Sequence, residues 1–481
     1  MRRFSEPLTS AGGALEYMAA SGNTARNRLR KRVADALPPG ISSDDIRVQL
    51  KKILASPIFQ SSARLSNFLA YAVNRTLEGK LDEMTQQSIG AIVFERSDFD
   101  ATADSAVRVE AGRLRAKLRE YYTFEGTADP IAINLPKGRY IPSFASTSGN
   151  RQGVSDKAFR LYAEGRRLWA KRTPGTLDSA RQYFQDALTE EPRYVAASAA
   201  LAECYAFMAI WGFPPREVMP KAKDLALAAI FAQNTCAEAY AVLAFVESSY
   251  DWDWDQAERH FRHAIRLDPK CLATYCWYGS HLLAVGRAKE AVIQTRRAQE
   301  LDPTSVLVNA HAAKVLYVAG RYDNAIDLLL SMREENPNFY LTHWYLGLAL
   351  FETTSSDIAM ESLLRAAELA GDSSSVLASL GHVHATRGNV DAAHSVIGRL
   401  AEMSRTVHVP ATNHAIVFAG LGDMDTAFQW MEKAYQERAL YLTWLGVWPL
   451  FKRLRSDSRY FDLLERVELA TRLDGRAHSE S

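Results

Sequence analysis

Alanine returns every 34 residues, at Ala257, Ala291, Ala325, Ala359, Ala393 and Ala427. A chain with a fixed period of this length folds as a stack of similar units and not around one core. Glycine keeps the same step at Gly286, Gly320, Gly388 and Gly422, with Thr354 in the remaining place. Pro269, Pro303 and Pro337 close successive units, and a second alanine follows the first at Ala264, Ala298, Ala366 and Ala434. Within residues 272–305, Tyr275, Tyr278, Gly279 and Leu282 share one face of a first helix. Gly286 supplies the turn, where a positive φ is expected. Ala291 and Ala298 are small, so neighbouring helices can approach closely. Leu301-Asp302-Pro303 ends the second helix, because proline disfavours helix in the residue before it. Each hairpin leaves an apolar face uncovered, so the units must stack.

A period of 34 residues is that of the tetratricopeptide hairpin. Earlier units are less regular. Residues 161–192 carry Ala180, Phe184, Ala187 and Pro192 at matching offsets. The next unit begins with Leu201, Ala202 and Tyr205, and an insert from Trp211 to Pro220 stretches it before Ala222, Ala226 and Ala229. About eight hairpins are expected over residues 157–440, with 441–481 as a C-terminal cap and tail. The regular alanines and aromatics are packing residues. The curved surface of such an α-solenoid takes an extended peptide or a helix, so a protein partner, or self-association, is its expected use.

At 481 residues the chain needs more than one core. Charge is uneven along it: residues 1–145 hold 21 basic and 16 acidic side chains, and the remainder holds 36 and 40. A basic front module before a mildly acidic body points to nucleic acid at the front. Cys204, Cys236, Cys271 and Cys276 match no zinc spacing and are expected as buried, reduced thiols. His260 and His263 could share a helix face but lack a third ligand, so no metal site is expected. Residues 1–40 have no secretory pattern and read as a basic, disordered arm. The longest apolar stretch, Leu440 to Phe451, falls short of the roughly 20 residues a membrane span requires. The expected setting is the cytoplasm, away from membranes.

Residues 41–145 follow a different grammar, with a linker at 146–156. Ser42-Ser43-Asp44-Asp45 reads as a helix start leading into an apolar stripe of Ile46, Leu50, Ile53 and Leu54. A second helix is expected from Ser61 to Leu77, with Leu65, Phe68, Leu69 and Val73 inward, and a short third from Gln86 to Val93. A fourth runs from Asp104 to Tyr122. Its apolar stripe is Val107, Ala111, Leu114, Leu118 and Tyr121. Arg108, Gly112, Arg115 and Arg119 form the neighbouring stripe, and Arg113 and Lys117 lie further round. A mid-helix glycine costs about 1 kcal/mol against alanine, and here it removes bulk where a large partner could approach. Next, Ile131, Ile133 and Leu135 alternate as a half-buried strand should. Lys137-Gly138-Arg139 is a turn, and Tyr140 to Phe144 reads as the returning strand. Helices, a basic helix and a hairpin with a basic tip is the order of a winged helix, in which the basic helix enters the major groove and the hairpin meets the backbone.

The strings Val107-Arg-Val-Glu-Ala-Gly-Arg-Leu-Arg-Ala-Lys-Leu118 and Lys137-Gly-Arg-Tyr140 resemble the recognition helix and wing of response-regulator-type winged-helix domains. More narrowly, Ser105 to Phe144 resembles the front module of a bacterial group of winged-helix–tetratricopeptide proteins, and Leu161-Tyr-Ala-Glu-Gly-Arg-Arg-Leu-Trp169 opens the repeats as in that group. The resemblance implies a mainly α chain: an N-terminal winged helix with a small β-hairpin, then an α-solenoid. It implies binding of double-stranded DNA, with Arg113 and Arg115 on the recognition helix and Lys137 on the wing. Arg108, Arg119 and Arg139 complete the candidate DNA-binding set.

Some chains of that group are labelled adenylate cyclases. A cyclase needs paired metal-binding carboxylates on a domain of its own, and residues 155–470 are already claimed by repeats. No phosphate-binding glycine loop, zinc-protease or hydrolase-elbow motif occurs in the sequence. Neither a catalytic residue nor a cofactor is expected. The reading is a DNA-binding transcriptional regulator with a protein-interaction array. The rival is a non-enzymatic scaffold whose winged helix binds protein and not DNA.

Overall fold

The computed structural model describes residues 41–93, 106–126, 129–136, 138–146, 154–171, 174–354 and 357–474. The arm at 1–40 and Lys137 lie outside these. Two compact units divide the chain, Met1–Arg172 and Thr173–Ser481.

The first unit opens with α1 (Ser43–Leu54), started by a reciprocal capping box between Ser42 and Asp45. Then come α2 (Pro57–Gln60), α3 (Ala63–Leu77), α4 (Gln86–Val93) and α5 (Ala106–Phe124). Every residue assigned to an inward stripe of α1, α3 and α5 is buried, except Leu54, which is half-buried. An antiparallel hairpin follows, β1 (Ile131–Asn134) with β2 (Ser143–Ser146). Ile131 and Ile133 point into the core of the unit, as the alternation requires. The returning strand differs from expectation: pairing begins at Ser143 opposite Asn134, not at Tyr140. Pro136 and Pro142 have no N–H to give a ladder, so the strands part between them. Tyr140 and Ile141 pack against the core instead of pairing. The unit ends with α6 (Asp156–Lys171).

Among the described residues, the second unit starts with α7 (Pro174–Glu190) and continues as seven helical hairpins. Their first helices are α8 (Val195–Ile210), α10 (Ala237–Val246), α12 (Leu272–Ala284), α14 (Val306–Val318), α16 (Tyr340–Thr354), α18 (Ser374–Thr386) and α20 (Ala411–Leu421). Their second helices are α9 (Pro215–Ala232), α11 (Trp254–Leu267), α13 (Ala288–Leu301), α15 (Tyr322–Glu335), α17 (Asp357–Ala370), α19 (Val390–Met403) and α21 (Met424–Glu437). All six alanines of the 34-residue series are fully buried on second helices. The glycines at 286, 320, 388 and 422 all have positive φ and close their hairpins. Gly347 shows the close approach: a Cβ there would stand 2.9 Å from the Ala359 carbonyl oxygen.

First and second helices differ in how they are buried. A second helix such as α11 buries one stripe, Trp254, Ala257, Phe261 and Ala264. The first helices are apolar and buried nearly all round, which requires cover on the side away from their partners. For α14, α16, α18 and α20 that cover comes from the end of the chain. Two 3-10 turns, Leu440–Trp444 and Pro449–Ser456, then α22 (Ser458–Arg466) and α23 (Ala470–Asp474), follow the last hairpin.

Candidate functional site

The basic helix α5 is bolted to the hairpin at its C-terminal half. Tyr121 donates its hydroxyl proton to buried Asp129 at 2.7 Å. The same carboxylate takes Gln49 and Lys52 from α1. The Tyr122 hydroxyl accepts from the Ile133 amide at 2.7 Å and donates to the Ile131 carbonyl at 3.3 Å. Arg115 adds the third bolt. Its Nε donates to the Leu135 carbonyl at 2.9 Å, and one Nη donates to those of Pro136 at 3.0 Å and Arg139 at 3.3 Å. These are the carbonyls that the parted strands leave without ladder partners. The guanidinium fork thus holds the hairpin loop against the helix.

The other candidate residues sit differently. Arg108, Gly112, Arg113 and Arg119 lie on the exposed side of α5. Arg113 pairs with Glu110 at 2.9 Å. Glu110 is buried, and Arg64 lies 3.9 Å from the same carboxylate oxygen. Lys117 reaches across to the Ser61 hydroxyl at 3.0 Å. Val109 is 50% exposed beside Gly112, and a Cβ on Gly112 would meet nothing within 4 Å. No packing demand inside the unit therefore calls for glycine at that position. Arg139 is exposed on the hairpin loop next to Gly138, whose φ of 76° makes the turn. The face thus combines cations, an exposed apolar side chain and a gap. Sequence reasoning missed the clamp of Arg115 and the anchor at Asp129, because both depend on carbonyls and side chains far along the chain.

The array presents a second candidate surface, the side of its first helices away from the second ones. The end of the chain runs across it. The Lys314 ammonium of α14 lies 4.5 Å from the centre of the Trp444 ring. Tyr317, one turn on, meets Trp448 edge-on at 5.8 Å. Trp344, Ser375, Ser379, Thr412, Asn413 and Ile416, from α16, α18 and α20, line a small cavity closed by Tyr441, Trp448, Leu450 and Phe451. Arg453 donates to the Gly420 carbonyl at 2.6 Å. The chain end also reaches back to the early hairpins. Arg438, in a left-handed conformation with φ 55°, donates to the Tyr250 carbonyl at 3.1 Å and stacks 3.8 Å over Trp252. Arg472 grips Asp255 with two bonds, at 2.9 and 3.0 Å.

His260 pairs with Glu247 at 2.7 Å, and both it and His263 lie against Tyr240. Burial pushes the Cys236 and Cys271 thiols up to about 11, which keeps them protonated near neutrality.

A tetratricopeptide repeat family model matches residues 253–306 and 312–376, so this stretch carries tetratricopeptide repeats. Among curated proteins, the transcriptional regulator HilA of Salmonella typhimurium is 26% identical over 177 residues, which is 37% of this chain and 32% of that protein. The chain thus spans about a third of the regulator's length. Protein O-mannosyl-transferase Tmtc2 of Drosophila melanogaster is 39% identical over 70 residues, 14% of this chain and 8% of that one. Among solved structures, yeast Tom70 is 15% identical, with 91% of this chain and 89% of that one covered and a TM-score of 0.40. A tetratricopeptide repeat protein from Parabacteroides merdae is 12% identical, with 59% and 99% covered and a TM-score of 0.36. Among the described residues, no helix is long and apolar enough to cross a membrane.

Proposed function

We propose that this chain is a DNA-binding transcriptional regulator: the front unit acts as a winged helix on double-stranded DNA, and the repeat array is its protein-interaction body. The exposed face of α5 carries the reading. Arg108, Arg113 and Arg119 flank Gly112, which no internal contact requires. A major groove admits one helix face, and a missing side chain lets the base edges come close. In this reading Arg108, Arg113, Arg119, Lys137 and Arg139 meet phosphates or bases. Arg115 positions the hairpin. Val109 is the apolar group that would meet a thymine methyl. The match to a protein named as a transcriptional regulator supports the same reading.

The test is binding of duplex DNA by the full chain at several salt concentrations. A binder with several phosphate contacts loses affinity steeply as salt rises, with a log–log slope of about −0.9 per phosphate neutralised. No measurable affinity at low salt would favour the rival, a scaffold whose front unit uses the exposed Val109 face on protein.

A further inference from the structure

The repeats are built to expose the inner side of their first helices, yet here that side is covered by a segment that is not a repeat. An end cap touches the last hairpin. Residues 440–456 instead cross α14, α16, α18 and α20, laying Tyr441, Trp444 and Trp448 along them. Those rings stack on one another, Trp444 on Trp448 at 5.1 Å and Tyr441 against Trp448 at 5.4 Å. The contact is mostly apolar, with Lys314 over the Trp444 ring and one polar tie, Arg453 donating to the Gly420 carbonyl at 2.6 Å. The segment begins at Arg438, whose left-handed backbone breaks the chain away from α21. Beyond it, Arg472 of α23 pairs with Asp255 of α11.

We propose that the inner face of the array is a groove for an extended segment bearing aromatic rings at the spacing of Tyr441, Trp444 and Trp448, and that residues 440–456 are its resident occupant. A partner reaches this face by exchange: it presents equivalent rings and takes the place of the chain's own. Spontaneous opening is disfavoured by the burial of Leu442, Leu450, Phe451 and Leu454, so a competing segment is required. The inference rests on the array as a protein-binding surface and is independent of DNA binding.

The probe is a fluorescent synthetic peptide of residues 438–458, added to the full chain. The Trp444→Ala/Trp448→Ala variant, with its own occupant weakened, should bind the peptide at least about tenfold tighter than the native chain. A peptide with both tryptophans replaced by alanine should not bind. Absence of binding to a variant shown folded by circular dichroism overturns the proposal. Should the variant not fold, hydrogen exchange on the native chain decides. Faster exchange at 440–456 in excess peptide supports displacement, and unchanged exchange overturns it. DNA affinity measured on the same samples separates failure here from failure of the regulator reading.

Discussion

The indole N–H of Trp254 donates to the main-chain carbonyl of Val467 at 3.0 Å, across 213 residues of sequence, with both groups buried. This bond ties the end of the chain to an early hairpin. Trp254→Phe keeps a ring but removes the donor, leaving the Val467 carbonyl unpaired. The expected loss is about 1–3 kcal/mol of stability, read as a lower urea midpoint. An unchanged midpoint contradicts the assigned role.

Arg115 and Arg113 should separate in a DNA-binding measurement. Arg113→Ala removes one cation from the exposed face and should shallow the salt dependence by about one unit of slope. Arg115→Ala releases the hairpin loop from α5. It should weaken binding through lost positioning, and Arg115→Lys should not restore it, because the single ammonium nitrogen cannot reach carbonyls that the guanidinium spans from two nitrogens. Full rescue by lysine sinks the clamp.

Gly112 offers a test in which stability and binding move in opposite directions. A Cβ there meets open space, so Gly112→Ala should stabilise the front unit by about 1 kcal/mol. A bulkier Gly112→Gln should leave the fold intact and reduce DNA affinity. Unaltered affinity in the glutamine variant would mean that the gap is not used.

Burial holds His281, His382 and His414 down to about 4. In the unfolded chain these rings return to about 6.5. As pH falls between those values, the unfolded state takes up protons that the native rings refuse. Stability is therefore full above about 6.5 and declines through this window. The urea midpoint of the array should be lower at about pH 5.5 than at about pH 7.5, and a flat or inverted profile contradicts this account.

The hairpins were legible because their signal is local and repeated. A small residue every 34 positions marks where helices touch, and those alanines are fully buried. The stripes of α1, α3 and α5 were legible for the same reason. What escaped is long-range and happens once. Nothing periodic announces that Trp444 and Trp448 lie on Lys314 and Tyr317, or that Arg472 meets Asp255. The late start of β2 follows from two prolines whose effect depends on the carbonyls that Arg115 captures. Arg115 itself read as another surface cation, since spacing along a helix does not show which carbonyls lie across from it.

The most direct test of the central claim is recovery of bound sequences from fragmented genomic DNA by the full chain at two salt concentrations, beside an Arg108→Ala/Arg113→Ala/Lys137→Ala variant. The account predicts a shared motif whose enrichment weakens with salt and disappears in the variant. Absence of enrichment by the folded native chain, or equal enrichment by the variant, would contradict it.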